Sequence, residues 1–193
     1  YCGLSRDASK EEILERINNN TITDILNKIE VKAGDVVMVK AGTIHAIGAG
    51  VFICEIQQNS NCTYRMYDYD RRDKFGNPRE LHVKKALDVV DNHKYIKDNK
   101  TEVVIARNEH FTEERLVQCK YFEVYKYDVN DEAKITVDEA SFVSVLFING
   151  SGTIETDDYE KTMEFKAGDS FFVSAGLRSI IIKGQATMVV TRI

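Results

Sequence analysis

The sequence lacks any basic excess: 26 lysines and arginines face 31 aspartates and glutamates, a formal charge of −5 at pH 7. A general nucleic-acid or membrane-surface binder needs surplus cations to neutralise phosphates, so neither class fits. No apolar run approaches the roughly 20 residues that a membrane span requires. No charged-then-apolar leader marks export. The four cysteines (Cys2, Cys54, Cys62 and Cys119) form no Cys-x-x-Cys pair. Cys54 ends the apolar run Val51-Phe52-Ile53-Cys54 and is expected to be a buried, reduced thiol, which suits a reducing cytoplasm. A starting methionine is also missing. The chain opens on Tyr1-Cys2-Gly3-Leu4, which reads as the end of a strand already under way, and a fragment is expected.

What is present is the composition of a soluble globular protein, 43% hydrophobic and 30% charged, at a length that suits one large or two small domains. Ser9-Lys10-Glu11-Glu12 has capping-box spacing: the hydroxyl covers the N3 amide and Glu12 reaches back. Ile13, Leu14 and Ile17 then follow at helical intervals. Thr23 can cap a second short helix through Ile25, Leu26 and Ile29. A third spans about residues 83–90, with Ala86, Leu87 and Val90 on one stripe. Residues 36–39, 51–56, 63–69, 103–105, 121–127, 142–148, 171–173 and 188–190 read as short β-branched or aromatic strands bounded by turn residues. The pattern predicts a β-sandwich or barrel. The polar residues 91–100 are the boundary candidate, dividing the chain into 1–97 and 98–193.

A repeat orders these strands. Lys32-Ala33-Gly34-Asp35 recurs as Lys166-Ala167-Gly168-Asp169, and in the same ungapped register Val39 meets Val173, Ala41-Gly42 meets Ala175-Gly176, and Gly50 meets Gly184. The chain therefore carries two copies of one β-unit. In that register His45 of the first copy faces Ser179 of the second. Residues 101–193 are expected to form a closed sandwich superposing on the β-unit around residues 31–70.

The chemistry concentrates near His45. A Gly34-Asp35 turn starts a strand, Gly42 allows the tight turn at its end, and His45 begins the returning strand. An imidazole inside a β-barrel beside ligands from neighbouring strands suits a divalent transition metal. A hydrogen-bonding histidine near a turn is the plainer alternative, and His82, His93 and His110, which form no His-x-His or His-x3-His pair, are read that way. On a strand Arg65, Tyr67 and Tyr69 share one face, with Met66 and Asp68 on the other. Arg65 can then face the barrel while Met66 packs behind it; a surface ion pair is the alternative. Glu55 interrupts an apolar run whose Val51 and Ile53 are expected to look inward, a costly place for a carboxylate unless it is paired or functional.

The spacing Gly34-x5-Lys40-Ala41-Gly42-x2-His45 resembles the second motif of the cupin superfamily, with lysine where that motif usually has proline. The longer runs over residues 41–50 and 55–71, with Arg79-Glu80-Leu81-His82 after the Gly76-Asn77-Pro78 turn, resemble class I mannose-6-phosphate isomerase in its bacterial form. The resemblance is strong over about residues 1–90 and looser beyond. It implies a mainly β, double cupin-like jelly roll with short inserted helices and an N-terminally truncated first cupin. It also implies interconversion of mannose 6-phosphate and fructose 6-phosphate through an enediol, in a site where zinc is held by a glutamine, two histidines and a glutamate or a close variant. The last of those histidines matches His45. The family's essential arginine matches Arg65, and an active-site glutamate matches Glu55, as lining rather than as an assigned base.

The remaining ligands belong to a Gln-x-His motif and a glutamate that in the family precede the point matching Tyr1. Nothing here replaces them, because Gln57-Gln58 and Gln118 are not followed two residues later by histidine. The expectation is therefore an isomerase chain, inactive by itself, with a sugar-phosphate substrate and its other zinc ligands upstream. The alternatives are a non-catalytic cupin that binds or senses sugar phosphates, and a structural double β-unit. The second copy is expected to be scaffold. Gly48-Ala49-Gly50 lacks the third glycine of a dinucleotide fingerprint, and the cations of residues 64–75 are largely cancelled by Asp68, Asp70 and Asp73. Oligomeric state is not readable.

Overall fold

The computed structural model describes residues 1–60, 62–97, 103–156 and 162–193, so the end of the expected boundary stretch, residues 98–100, lies outside the described residues. The chain divides into two compact units, Tyr1–Lys97 and Asp98–Ile193.

The first unit is built around helix α1, Lys10–Asn18, and a shorter helix α2, Val83–Val89. Ser9 caps α1, its hydroxyl accepting from the Glu12 amide at 3.1 Å. Glu12 does not complete the capping box. Its carboxylate is taken by Arg6 and by Arg16, the latter at 2.9 Å, and these hydrogen bonds lower its pKa to about 2. Ile13 and Ile17 bury against Leu4, Ala8, Ile22, Ile25 and Val90 in a small core. The helix expected after Thr23 shrinks to one 3-10 turn, Ile22–Ile25. Tertiary pairing overrides local propensity there: Ser5 donates to the Ile25 carbonyl, Asn27 to Gly3 and Cys2 to Asn27.

The strands expected at residues 36–39, 51–56 and 63–69 are not formed. A strand needs a neighbour for its backbone groups and a second layer for its inward side chains, and these segments meet no ladder partner among the described residues. Residues 51–53 are accordingly open to solvent, with Phe52 at 99% exposure, and Cys54 is exposed rather than buried. Val51 and Ile53 do not look into a core as expected.

The turns of the repeat are nevertheless the same in both units. Gly34 and Gly168 both have φ +92°, Gly42 and Gly176 have +83° and +79°, and Gly50 and Gly184 are also left-handed. In each Lys-Ala-Gly-Asp turn the aspartate side chain accepts from the lysine amide at 2.9 Å, and the aspartate amide donates to the lysine carbonyl at 3.1 Å.

The second unit is antiparallel β. Its strands are β1 Val103–Arg107, β2 Phe111–Gln118, β3 Glu123–Val129, β4 Glu132–Val137, β5 Val143–Thr156, β6 Met163–Lys166, β7 Ser170–Val173 and β8 Arg178–Arg192. The long strands β5 and β8 pair along their whole length. The later half of β8 pairs with β3 and its earlier half with β4, while β7 and β6 pair with the two ends of β5. Where the halves meet, the backbones approach so closely that a Cβ on Gly150 would lie 1.9 Å from the Gln185 carbonyl oxygen. A Cβ on Gly152 would lie 2.0 Å from that of Lys183. One core joins both halves: Val143, Val145, Phe147, Met188 and Val190 from one, Ala133, Ile135, Val137, Ile154, Ile180 and Ile182 from the other. Phe147 stacks on Phe165 with ring centroids 3.7 Å apart.

Phe147 is fully buried, whereas Phe172 is 69% exposed. Phe147→Ala is expected to destabilise the second unit by about 3–5 kcal/mol and Phe172→Ala by under about 1 kcal/mol, measured by chemical denaturation.

Candidate functional site

His45 is positioned from both sides of its segment. The chain start pairs with it antiparallel: Gly3 donates to the Ile44 carbonyl at 2.7 Å, Ala46 donates to Tyr1 at 3.0 Å, and Cys2 bridges His45. Three residues earlier the Ala41-Gly42 turn is tied to the end of α2, Asp91 donating to the Gly42 carbonyl at 2.9 Å. Only glycine fits there, because a Cβ would lie 2.7 Å from the Val89 carbonyl oxygen. Ile44 packs on the small helical core, so alternation along the extended backbone turns His45 to the opposite side, where it is exposed.

The imidazole makes one decisive contact: Nδ1 lies 2.9 Å from the Thr43 carbonyl oxygen. A carbonyl only accepts, so Nδ1 carries the proton and Nε2 presents its lone pair outward. This is the arrangement by which a protein prepares a histidine to bind a metal.

Arg65 is held by the segment leading into α2. Its carbonyl accepts from the His82 amide at 2.7 Å, its own amide donates to His82 Nδ1 at 3.2 Å, and its Nη1 donates to the Glu80 carbonyl at 3.0 Å. Its neighbour Met66 packs on the same helical core as Ile44. His45 and Arg65 are therefore each set beside an apolar anchor in one small core. Nη1 of Arg65 is engaged by the Glu80 carbonyl, and the guanidinium fork carries further donors. Glu55 is exposed, and no contact among the described residues places it with either His45 or Arg65.

Two residues gain roles that the sequence reading did not give them. His82, read there as a bland hydrogen-bonding residue, clamps the Arg65 backbone on both sides. Asp68, read as a charge that offsets nearby cations, is only 6% exposed. Its Oδ1 accepts from Arg71 at 2.6 Å and lies 3.5 Å from Arg79, while Oδ2 has no hydrogen-bond partner among the described residues. The signal for Asp68 was available: it shares the Met66 face of the strand pattern, and a carboxylate on a packing face needs a cation. Tyr69 and Asp70 follow in left-handed conformation, at φ +55° and +50°, and swing Arg71 back onto it.

Among the described residues no group of three or more His, Cys, Asp or Glu side chains is placed to hold a metal ion. One imidazole does not make such a site. The two tautomers provide a direct check. Above the histidine pKa, nitrogen-detected NMR of His45 should show the Nδ1–H form, and that of His82, whose Nδ1 accepts, the Nε2–H form. A common tautomer for both would contradict the geometry.

The family described as mannose-6-phosphate isomerase, cupin domain, matches residues 112–193, within the second unit. The Bacillus subtilis protein YvyI is 42% identical over 190 residues, and the mannose-6-phosphate isomerase ManA of the same organism is 33% identical over 195; each alignment takes in 96% of this chain. The crystal structure of the mannose 6-phosphate isomerase from Bacillus subtilis matches with a TM-score of 0.88 and 38% identity over 100% of this chain and 59% of that one. The chain spans about 57% of the length of the two curated relatives. Along nearly every residue the chain is similar to mannose-6-phosphate isomerases, and its second unit matches the cupin domain of that family.

Proposed function

We propose that this chain forms part of a cytoplasmic isomerase that interconverts mannose 6-phosphate and fructose 6-phosphate, with His45 as one zinc ligand, Arg65 as the catalytic cation and Glu55 lining the site. The observation that carries the reading is the outward Nε2 of His45, prepared by the Thr43 carbonyl on a segment whose neighbours match the family. Isomerases of this family depend on a metal ion. The described residues do not complete a site for one, so the proposal requires further ligands from outside the described residues.

What Arg65 contributes follows from the reaction. Moving a proton between adjacent sugar carbons passes through an enediol, and negative charge builds on the oxygens of those carbons. A guanidinium is permanently charged and presents its donors in a fixed plane. With the Arg65 backbone clamped by His82 and its Nη1 donating to the Glu80 carbonyl, the guanidinium stabilises that charge without first having to be ordered. Substrate in its ground state lacks the charge, so the interaction belongs to the transition state.

In the protein extended to the length of its relatives, Arg65→Ala should lower kcat for mannose 6-phosphate isomerisation by about 10²–10³-fold with a much smaller change in KM. His45→Ala should reduce zinc affinity by a comparable factor. Unchanged turnover in the Arg65 variant would remove Arg65 from the mechanism and leave the similarity to the family standing.

A further inference from the structure

The second unit, expected to be scaffold, carries a polar cluster at one end of its core. Directly opposed residues in a sheet share a face, and the register orders three rows across β2, β3, β8 and β5. The first is Glu113, Tyr127, Met188 and Phe147; the second is Arg115, Tyr125, Val190 and Val145; the third is Gln118, Glu123, Arg192 and Val143. Met188, Phe147, Val190 and Val145 are fully buried, so this is the core face, and it turns polar toward the third row. Solvent reaches that end, since Arg115, Glu123, Tyr125 and Arg192 are only half-buried.

The two arginines there are left incompletely used. Arg115 Nε and Arg192 Nε are both buried without a hydrogen-bond partner among the described residues. A buried donor with no acceptor costs about 1–3 kcal/mol, and two beside one tyrosine call for an explanation. Neither guanidinium forms an ion pair with a carboxylate among the described residues, although Glu113 and Glu123 lie on the same face. Those carboxylates are committed elsewhere: Glu113 accepts from the Tyr127 hydroxyl, and Glu123 accepts from the Tyr125 hydroxyl at 2.5 Å and from Gln118. Arg192 lies over the Tyr125 ring at 5.5 Å and beside the Tyr127 hydroxyl. Arg115 stands directly opposite Tyr125.

We propose that this end of the second unit binds a phosphate group, gripped by Arg115 and Arg192 on either side of Tyr125. Nε with its neighbouring Nη forms the edge of guanidinium that binds an oxyanion through two parallel hydrogen bonds. In neither arginine is that Nε taken by an acceptor among the described residues, and tyrosine hydroxyls engage the competing carboxylates. A phosphate offers three oxygens to be shared between two such edges, which a carboxylate does not. The inference rests on the second unit alone and does not depend on the isomerase reading.

The test is titration of the full chain with inorganic phosphate, with mannose 6-phosphate and with mannose, following heat and the arginine Nε–H NMR signals. Both phosphate probes should bind and shift the Arg115 and Arg192 signals, and mannose should not. Tighter binding of the sugar phosphate would identify a sugar-phosphate site, and equal binding a free-phosphate site. The double variant R115Q/R192Q should weaken binding at least about tenfold. Should that variant not fold, E123Q serves: it removes a nearby negative charge while keeping an acceptor for Tyr125, and should strengthen phosphate binding several-fold, an effect no scaffold role predicts. Absence of phosphate binding at millimolar concentrations, binding that leaves both Nε–H signals unmoved, or affinity unchanged in the double variant or in E123Q would overturn the proposal.

Discussion

Both units depend on backbone that only glycine adopts without strain, placed at three matching points of a repeat. Gly34 and Gly168 turn the chain in the Lys-Ala-Gly-Asp motif, Gly42 and Gly176 turn it again, and Gly50 and Gly184 follow, all with φ in the left-handed region. A side chain there meets its own backbone. In the second unit the last of these points also lies where β5 and β8 come too close for a Cβ: one on Gly184 would sit 2.5 Å from the Ser151 carbonyl oxygen. That crossing lets two long strands serve both halves of one core. In the first unit Gly42 performs the corresponding task against α2, and the position of His45 follows from it.

The two copies consequently share turns while differing in how much sheet surrounds them. In the second, alternating side chains find a second layer and bury. In the first, the corresponding segments leave Val37, Val39, Val51, Phe52 and Ile53 in solvent. Its stable part is the small helical core, and that core anchors Ile44 and Met66. Among the described residues, the anchors beside the site residues are held by helix packing.

Much of this was legible because local chemistry decided it. The repeat was visible in Gly-Asp and Ala-Gly pairs, the Ser9 cap in its hydroxyl, and α2 in the Ala86, Leu87 and Val90 stripe. Strand β4, Glu132–Val137, alternates exposed and buried residues along its length and could have been found by period alone, but its charged members hid it among turn residues. The charge-rich β2 was hidden in the same way, and its polar face is where Arg115 and Glu113 lie. Contacts between distant segments were not legible. The helix expected at Thr23 yielded to pairing of residues 25–27 with the chain start, Glu12 left its cap for two arginines, and Cys54 found no layer to bury it. His45 and Arg65 were found through the family motif, while the Thr43 carbonyl and the His82 clamp needed coordinates.

Isotope tracing during the reaction tests the central claim most directly, because proton transfer through an enediol leaves a mark that binding alone cannot. The protein extended to the length of its relatives, supplied with zinc and mannose 6-phosphate in deuterated water, should form fructose 6-phosphate. Recovered substrate should carry deuterium at C2, or product at C1. Saturable binding of mannose 6-phosphate with neither product nor deuterium incorporation would contradict the account and leave a sugar-phosphate sensor in its place.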